Sequence, residues 1–185
     1  MKNGFKIPDI NTATQNTKAV LFQVREHYQF VPNALGAMAE SPEAVKSYLA
    51  LDELANQNSL SDEQRHIAFL TIAREYDCAY CVAAHTAFAQ MGRVDDKIVQ
   101  ALRNNQALNS AKLNALQDFV SLLIKKEGQL TELEVENFLS HGYTRQNILE
   151  LIAMIANKLI AVFANRIMGT DLDSALQPAK WNRVA

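Results

Sequence analysis

Cysteine is almost absent from this chain, and the two residues present, Cys78 and Cys81, stand three positions apart. That excludes the disulfide scaffold of a small secreted domain. Loop-closure stabilisation grows with loop length, so a bond between these two adds little to folding, and its use is expected to be chemical. Glycine and proline are also scarce, six and four in 185 residues, and β-branched alternation is nearly missing, which excludes a strand-rich fold punctuated by turns. No block of one charge exists: 18 basic and 20 acidic side chains are dispersed for a net charge of -2, and nucleic acid is not expected as a partner. Met1 to Pro8 carries lysine without a following apolar stretch, so no secretory signal is read and a cytoplasmic location is expected. The most apolar region, Leu149 to Phe163, is broken by Glu150, Asn157 and Lys158. It falls short of the roughly 20 uninterrupted residues that cross a bilayer, and no membrane span is expected.

What the chain has is apolar residues at spacings of three and four almost throughout, and at 49% of the composition they suffice for a core. The pattern predicts a single all-α domain over residues 1–185, with an N-terminal helix at 11–28, a helical core at 30–168 and a tail at 170–185. The first helix must end before Phe30-Val31-Pro32-Asn33, because proline pushes its predecessor out of helical geometry. A short helix at 33–39 follows. Ser41 then reads as an N-cap, with Pro42 in the first helical position and the helix running to Asn56. Ser61 caps the next, which reaches about Tyr76. Asp77 is expected to cap a helix from Cys78 to Met91 that stops at Gly92. Further helices are predicted at 95–104, 110–127, 131–140 and 144–168, the last closed by Gly169. Residues 148–163 are apolar on nearly all sides, which predicts burial all round, in the core or against another subunit, so oligomerisation is expected. The tail lacks helical periodicity and is expected to lie across the surface, anchored by Trp181.

On a helix, residues 78, 81 and 85 follow an i, i+3, i+7 pattern, which lines both sulfurs and the His85 imidazole along one face. Such a set permits a redox pair with a base. Cys78 falls in the first turn, where unpaired N–H groups and the helix dipole favour a thiolate. Cys81 lies one turn from His85, a spacing at which imidazole takes a thiol proton directly or through water. The two effects favour different sulfurs. Glu75, three residues before Cys78, reaches His85 as an orienting or proton-shuttling group if the preceding turn folds back over the helix start. Tyr80, between the cysteines, is either a packing residue or a hydroxyl that donates to a bound oxygen. Two plainer readings stand beside these. The thiols could be buried packing residues, or Cys78, Cys81 and His85 could be zinc ligands, although the fourth ligand has no candidate beyond the distant His66 and His141.

The segment Leu60-Ser61-Asp62-Glu63-Gln64-Arg65-His66, leading through an apolar helix into Asp77-Cys78-Ala79-Tyr80-Cys81-Val82-Ala83-Ala84-His85-Thr86, resembles the alkylhydroperoxidase D-like branch of the carboxymuconolactone decarboxylase family. Phe30-Val31-Pro32-Asn33, the stretch Asn157 to Asn165 and Asp171-Leu172-Asp173 extend the likeness along most of the chain. The resemblance implies an oligomeric helical bundle, a homo-oligomer such as a trimer or hexamer. It also implies a site in which Cys81 attacks a hydroperoxide with help from His85, Cys78 resolves the sulfenic acid, and a partner thiol or dithiol protein re-reduces the disulfide. No cofactor and no metal are implied. The chain departs from the family at two positions: His66 stands where the relay glutamate is usual, and Tyr80 where a second histidine can stand. Glu75 is the candidate replacement for the carboxylate, with His66 and Tyr80 as possible relay or pocket residues. The reading is a thiol-dependent hydroperoxide reductase. A disulfide-exchange or redox-sensing protein and a decarboxylase-like lyase are the alternatives.

Overall fold

Thr14, Ser41, Ser61, Ser110, Thr131 and Thr144 each turn a side-chain oxygen onto a free backbone N–H, and a helix follows each of them. The structure is a computed structural model and describes residues 1–182. Its helices are α1 (Gln15–Tyr28), α2 (Asn33–Met38), α3 (Pro42–Asn56), α4 (Asp62–Glu75), α5 (Ala79–Met91), α6 (Asp96–Arg103), α7 (Ala111–Lys125), α8 (Glu132–Ser140) and α9 (Arg145–Met168). A 3-10 turn at Ser174–Ala179 follows, and no strand occurs among the described residues. The fold is therefore all-helical and forms one domain.

Two starts differ from the sequence expectation. The first helix begins at Gln15 rather than Asn11, because the Asp9 carboxylate accepts the Asn11 N–H at 2.9 Å and holds the preceding residues in a turn. The other is the start of α5. Asp77 is not its N-cap but the left-handed residue that closes α4, with φ 49°. The Asp77 N–H reaches the Arg74 carbonyl at 2.8 Å and the Cys78 N–H reaches that of Ala73 at 3.1 Å, a Schellman closure. Cys78 itself then becomes the N-cap of α5. Gly92 does end α5, but the left-handed residue there is Arg93. A Cβ on Gly92 would stand 2.6 Å from the His66 Nε2, so what this glycine provides is room for an imidazole.

α4 lies at the centre, packed against α5, α6, α7 and α9. The main core gathers around it, with Ile67, Leu70, Ile72, Val82, Leu116, Leu151 and Met154 fully enclosed. At one side Phe138 stacks between Phe119 and Tyr143, with centroids 3.9 and 4.3 Å away. A second cluster joins α1, α2 and α3 to α9 through Val20, Val24, Leu35, Val45, Tyr48 and Ala161. Helix α9 serves both clusters. By length and composition it is apolar enough to cross a bilayer, yet one side of it buries Asn157 and Lys158 in the protein. The all-round burial expected for it is not found within one chain, since Leu149, Ile152, Phe163 and Ile167 are exposed. The tail crosses back over α6: the Trp181 indole donates to the Arg103 carbonyl at 3.1 Å, and the Arg103 guanidinium donates to the carbonyls of Ala179 and Lys180 at 2.9 Å. Residues 183–185 of the expected tail lie outside the described residues.

Candidate active site

The turn that closes α4 and opens α5 places the two cysteines. As N-cap, Cys78 receives the Cys81 backbone N–H on its sulfur at 3.4 Å. Both thiols are free and buried. A hydrogen bond from the Cys81 thiol is the largest influence on Cys78; aided by the Cys81 N–H and opposed by burial, it brings the Cys78 pKa down to about 7. The same bond, together with burial and the charge on Cys78, pushes Cys81 up. From α9, the Asn165 side-chain amide donates to the Cys81 sulfur at 3.5 Å, and the charge of Lys158 pulls in the same favourable direction for a Cys81 thiolate. The thiol and N–H of Cys81 thus stabilise the charge on Cys78, while Cys81 keeps the proton.

Cys81 and His85 lie on the wall of one small cavity of about 50 Å³, where the two hydrophobic clusters meet. Tyr28, Leu35, Tyr48, Tyr80, Phe88, Lys158 and Asn165 complete much of its lining. His85 is held by rings rather than by hydrogen bonds. It stacks on Phe69 with centroids 5.0 Å apart and meets the edge of Phe88 at 5.9 Å. Burial, then the charges of Lys158 and His66, push its pKa well down, so the imidazole is neutral. No hydrogen bond joins it to either sulfur.

The other sequence candidates fall elsewhere. Glu75 is turned away from the cavity: its carboxylate pairs with Arg74 at 2.6 Å and Lys125 at 3.4 Å and accepts from the Ser121 hydroxyl at 2.9 Å. Although burial works against it, these donors hold its pKa below the usual carboxylate range, and it lines a separate polar hollow with Arg103 and Trp181. Spacing in sequence put it near His85; the left-handed turn at Asp77 carries it off the cysteine face. His66 sits beside Gly92, its Nδ1 buried without a partner, and burial lowers its pKa. Tyr80 does reach the cavity, but its hydroxyl is committed, donating to the Asp173 carboxylate at 2.6 Å and accepting the Ala34 N–H at 3.4 Å. Among the described residues no three His, Cys, Asp or Glu side chains gather to hold a metal ion.

Sequence reading missed the group that dominates the cavity electrostatically. Lys158 is 1% exposed, and its Nζ donates to the Tyr48 hydroxyl at 2.9 Å and stands 3.5 Å from the Asp52 carboxylate. It also lies over the Tyr48 and Phe69 rings, at 4.9 and 4.7 Å from their centroids. Tyr28 donates to Asp52 at 3.4 Å, and the half-exposed His27 approaches the same carboxylate at 3.8 Å. Burial and neighbouring acidic groups push Tyr28 and Tyr48 upward, so both remain phenols. The signal was present: a lysine inside an otherwise apolar helix is almost never buried unless paired. Along the chain alone it only interrupts a hydrophobic run.

Residues 42–118, which include α3, α4, α5 and both cysteines, match the carboxymuconolactone decarboxylase family. The match spans less than half of the chain, and the fold is similar to that of alkylhydroperoxidase D-like proteins. A Ralstonia eutropha structure, an alkylhydroperoxidase AhpD core and uncharacterized peroxidase-related protein, superposes with a TM-score of 0.80 at 18% identity, covering 93% of each chain. The debrominase Bmp8, as a cysteine-to-alanine variant in complex with 2,3,4-tribromopyrrole, gives 0.80 at 15% identity over 97% of this chain and 96% of that one. A peroxidase-related protein from Silicibacter sp. gives 0.73 at 19% identity over 92% and 90%. At such identities the likeness is one of fold. Among curated proteins, none matches this sequence.

Proposed function

We propose that the chain is a thiol-dependent hydroperoxide reductase that cycles through a Cys78–Cys81 disulfide. The observation that carries this reading is the division of labour between the sulfurs. Cys81 stands on the cavity wall, whereas Cys78 lies behind it, hydrogen-bonded to it and favoured as a thiolate. A peroxide in the cavity meets Cys81. As its sulfur attacks the terminal oxygen, its proton passes along the existing hydrogen bond to Cys78; the S–O bond forms, the O–O bond breaks, and the other oxygen departs with the electron pair as hydroxide or alkoxide, to be protonated as water or alcohol. Cys78 then attacks the Cys81 sulfenic acid, its proton leaves with the hydroxide as water, and a disulfide remains for an external thiol or dithiol protein to reduce. In this scheme Cys78 takes the proton that sequence spacing assigned to His85, because that is where the hydrogen bond runs. His85 closes the cavity as a neutral ring.

The size of the cavity favours small hydroperoxides. Its volume, about 50 Å³, is well under the roughly 150 Å³ that accommodates benzene in an apolar core, so a brominated ring of the kind bound to Bmp8 is a poor fit. The asymmetry of the pair also supports a second reading, disulfide exchange with little peroxide turnover, since a low-pKa thiol beside one that keeps its proton is what exchange requires. One experiment separates them. Purified, reduced protein is supplied with hydrogen peroxide and a dithiol, and peroxide consumption is followed. The reductase reading expects turnover abolished by Cys81→Ser. Exchange with model disulfides but no Cys81-dependent peroxide consumption would establish the second reading instead. As for assembly, the exposed apolar side of α9, with Phe22 of α1 also exposed, supports a homo-oligomer, and sedimentation of the intact protein measures it.

A further inference from the structure

Peroxide cleavage leaves a demand that the cysteine pair does not meet. The departing oxygen leaves as hydroxide or alkoxide and needs a proton inside a cavity that is largely apolar. Cys78 has just accepted a proton, but it stands behind Cys81 and does not line the cavity. The Tyr80 hydroxyl is bonded to Asp173. His85 is a neutral ring between Phe69 and Phe88 with no hydrogen-bond partner among the described residues, and burial keeps it from carrying the extra proton. The remaining polar groups on the wall are Lys158, Asn165 and the hydroxyls of Tyr28 and Tyr48.

We propose that Lys158 is a catalytic residue of the peroxide reaction: its ammonium, seated by Asp52 and Tyr48, stabilises negative charge as it develops on Cys81 and donates the proton to the departing oxygen. The inference rests on the hydroperoxide reading and names the acid that reading lacks. The geometry supports it in three ways. Lys158 is 1% exposed and shares the cavity wall with Cys81, so its charge acts there without solvent screening. It is anchored at 2.9 Å by Tyr48 and 3.5 Å by Asp52, which fixes a long flexible side chain in one place. Third, its proton can be replaced. Asp52 is approached at 3.8 Å by His27, whose half-exposed ring opens to solvent. On the same cavity wall, Asn165 gives its amide N–H to Cys81 and, among the described residues, its buried Oδ1 has no partner, which leaves an acceptor for the O–H of an incoming hydroperoxide.

The step balances. Cys81 sulfur bonds to the terminal peroxide oxygen, the O–O bond breaks, and the sulfur is oxidised by the two electrons that the peroxide gains. The oxygen fragment takes a proton from Lys158 Nζ and leaves as water or alcohol. Lys158 recovers a proton from solvent by way of Asp52 and His27. Because the partner carboxylate would be stranded by removing the lysine alone, the informative variant removes both charges.

The test mixes reduced protein with hydrogen peroxide, quenches at intervals, and reads the Cys78–Cys81 disulfide by mass spectrometry. A parallel assay follows attack on a small model disulfide, which needs no proton delivered in the cavity. The doubly substituted Asp52→Asn, Lys158→Met protein is expected to lose on the order of 100-fold in peroxide-driven disulfide formation, while its rate on the model disulfide is retained. Lys158→Arg, which keeps the charge, should recover part of the peroxide rate. Tyr48→Phe removes one hydroxyl and decides the matter if the double variant does not fold: a severalfold slower peroxide step is expected, and an unchanged one overturns the proposal. A folded double variant that oxidises as fast as the wild type also overturns it, as does equal slowing of both assays, the mark of a merely structural role. These outcomes are distinct from failure of the peroxidase reading itself, in which the wild-type protein would show no Cys81-dependent oxidation at all.

Discussion

Titration of Cys78 offers the most direct quantitative check on how the two sulfurs share a proton. With a pKa of about 7, half of Cys78 is thiolate at neutral pH. An unperturbed thiol near 8.5 is only about 3% ionised there, so the structure gives Cys78 roughly 15 times the thiolate. A thiolate of lower pKa is also a weaker nucleophile, by about fivefold for this shift, so the net advantage in alkylation at pH 7 is only about threefold. The pH dependence is therefore more telling than the rate. Thiolate absorbance in the ultraviolet and iodoacetamide trapping of Cys78, read by mass spectrometry, should both give a midpoint near 7. The largest cause is the hydrogen bond from the Cys81 thiol, so Cys81→Ala should move that midpoint upward towards the ordinary thiol range, leaving only the weaker backbone contribution. The sign is fixed: a hydrogen bond given to the thiolate favours the charged form, and its loss must raise the pKa. A midpoint at 8.5 or above in the intact protein, or one that Cys81→Ala leaves in place, would refute the reasoning.

Two further outcomes concern stability. Phe138→Ala removes a ring that is 1% exposed and sandwiched by Phe119 and Tyr143; it should cost about 3–5 kcal/mol in urea unfolding, and a loss under 1 kcal/mol would mean that α7, α8 and the start of α9 do not pack as described. Tyr80→Phe strips the Asp173 carboxylate of its 2.6 Å donor and leaves it the Asn33 N–H alone at 2.9 Å. A loss of about 1–3 kcal/mol is expected, accompanied by a change in Trp181 emission as the tail loosens, and unchanged emission would separate the indole from that tether.

The helices were legible because their signals are local. Ser41 and Ser61 cap the helices they were expected to cap, and Pro42 and Gly169 mark a start and an end as their backbone preferences require. The misreadings came where one residue serves two elements. Asp77 has the chemistry of an N-cap, but the end of α4 claims it as a left-handed closing residue, and that passes the capping role to Cys78. Glu75 suffered the same way: three residues separate it from Cys78, yet the reversal at Asp77 sends it to Arg74, Ser121 and Lys125. His66 was noticed as a departure from the family pattern, but nothing local to it could reveal that Gly92 makes room for its ring.

By itself, the sequence determined that this would be a helical protein with two thiols at the opening of one helix, since helix periodicity, capping and a three-residue spacing depend only on neighbours along the chain. Tertiary structure alone decided which sulfur meets the cavity, that His85 is walled in by rings, and that Lys158 on α9 comes to Asp52 and Tyr48 on α3. The reason is physical. A pKa, a buried ion pair and a cavity wall are set by distances across about a hundred residues of chain, and no local pattern encodes those distances.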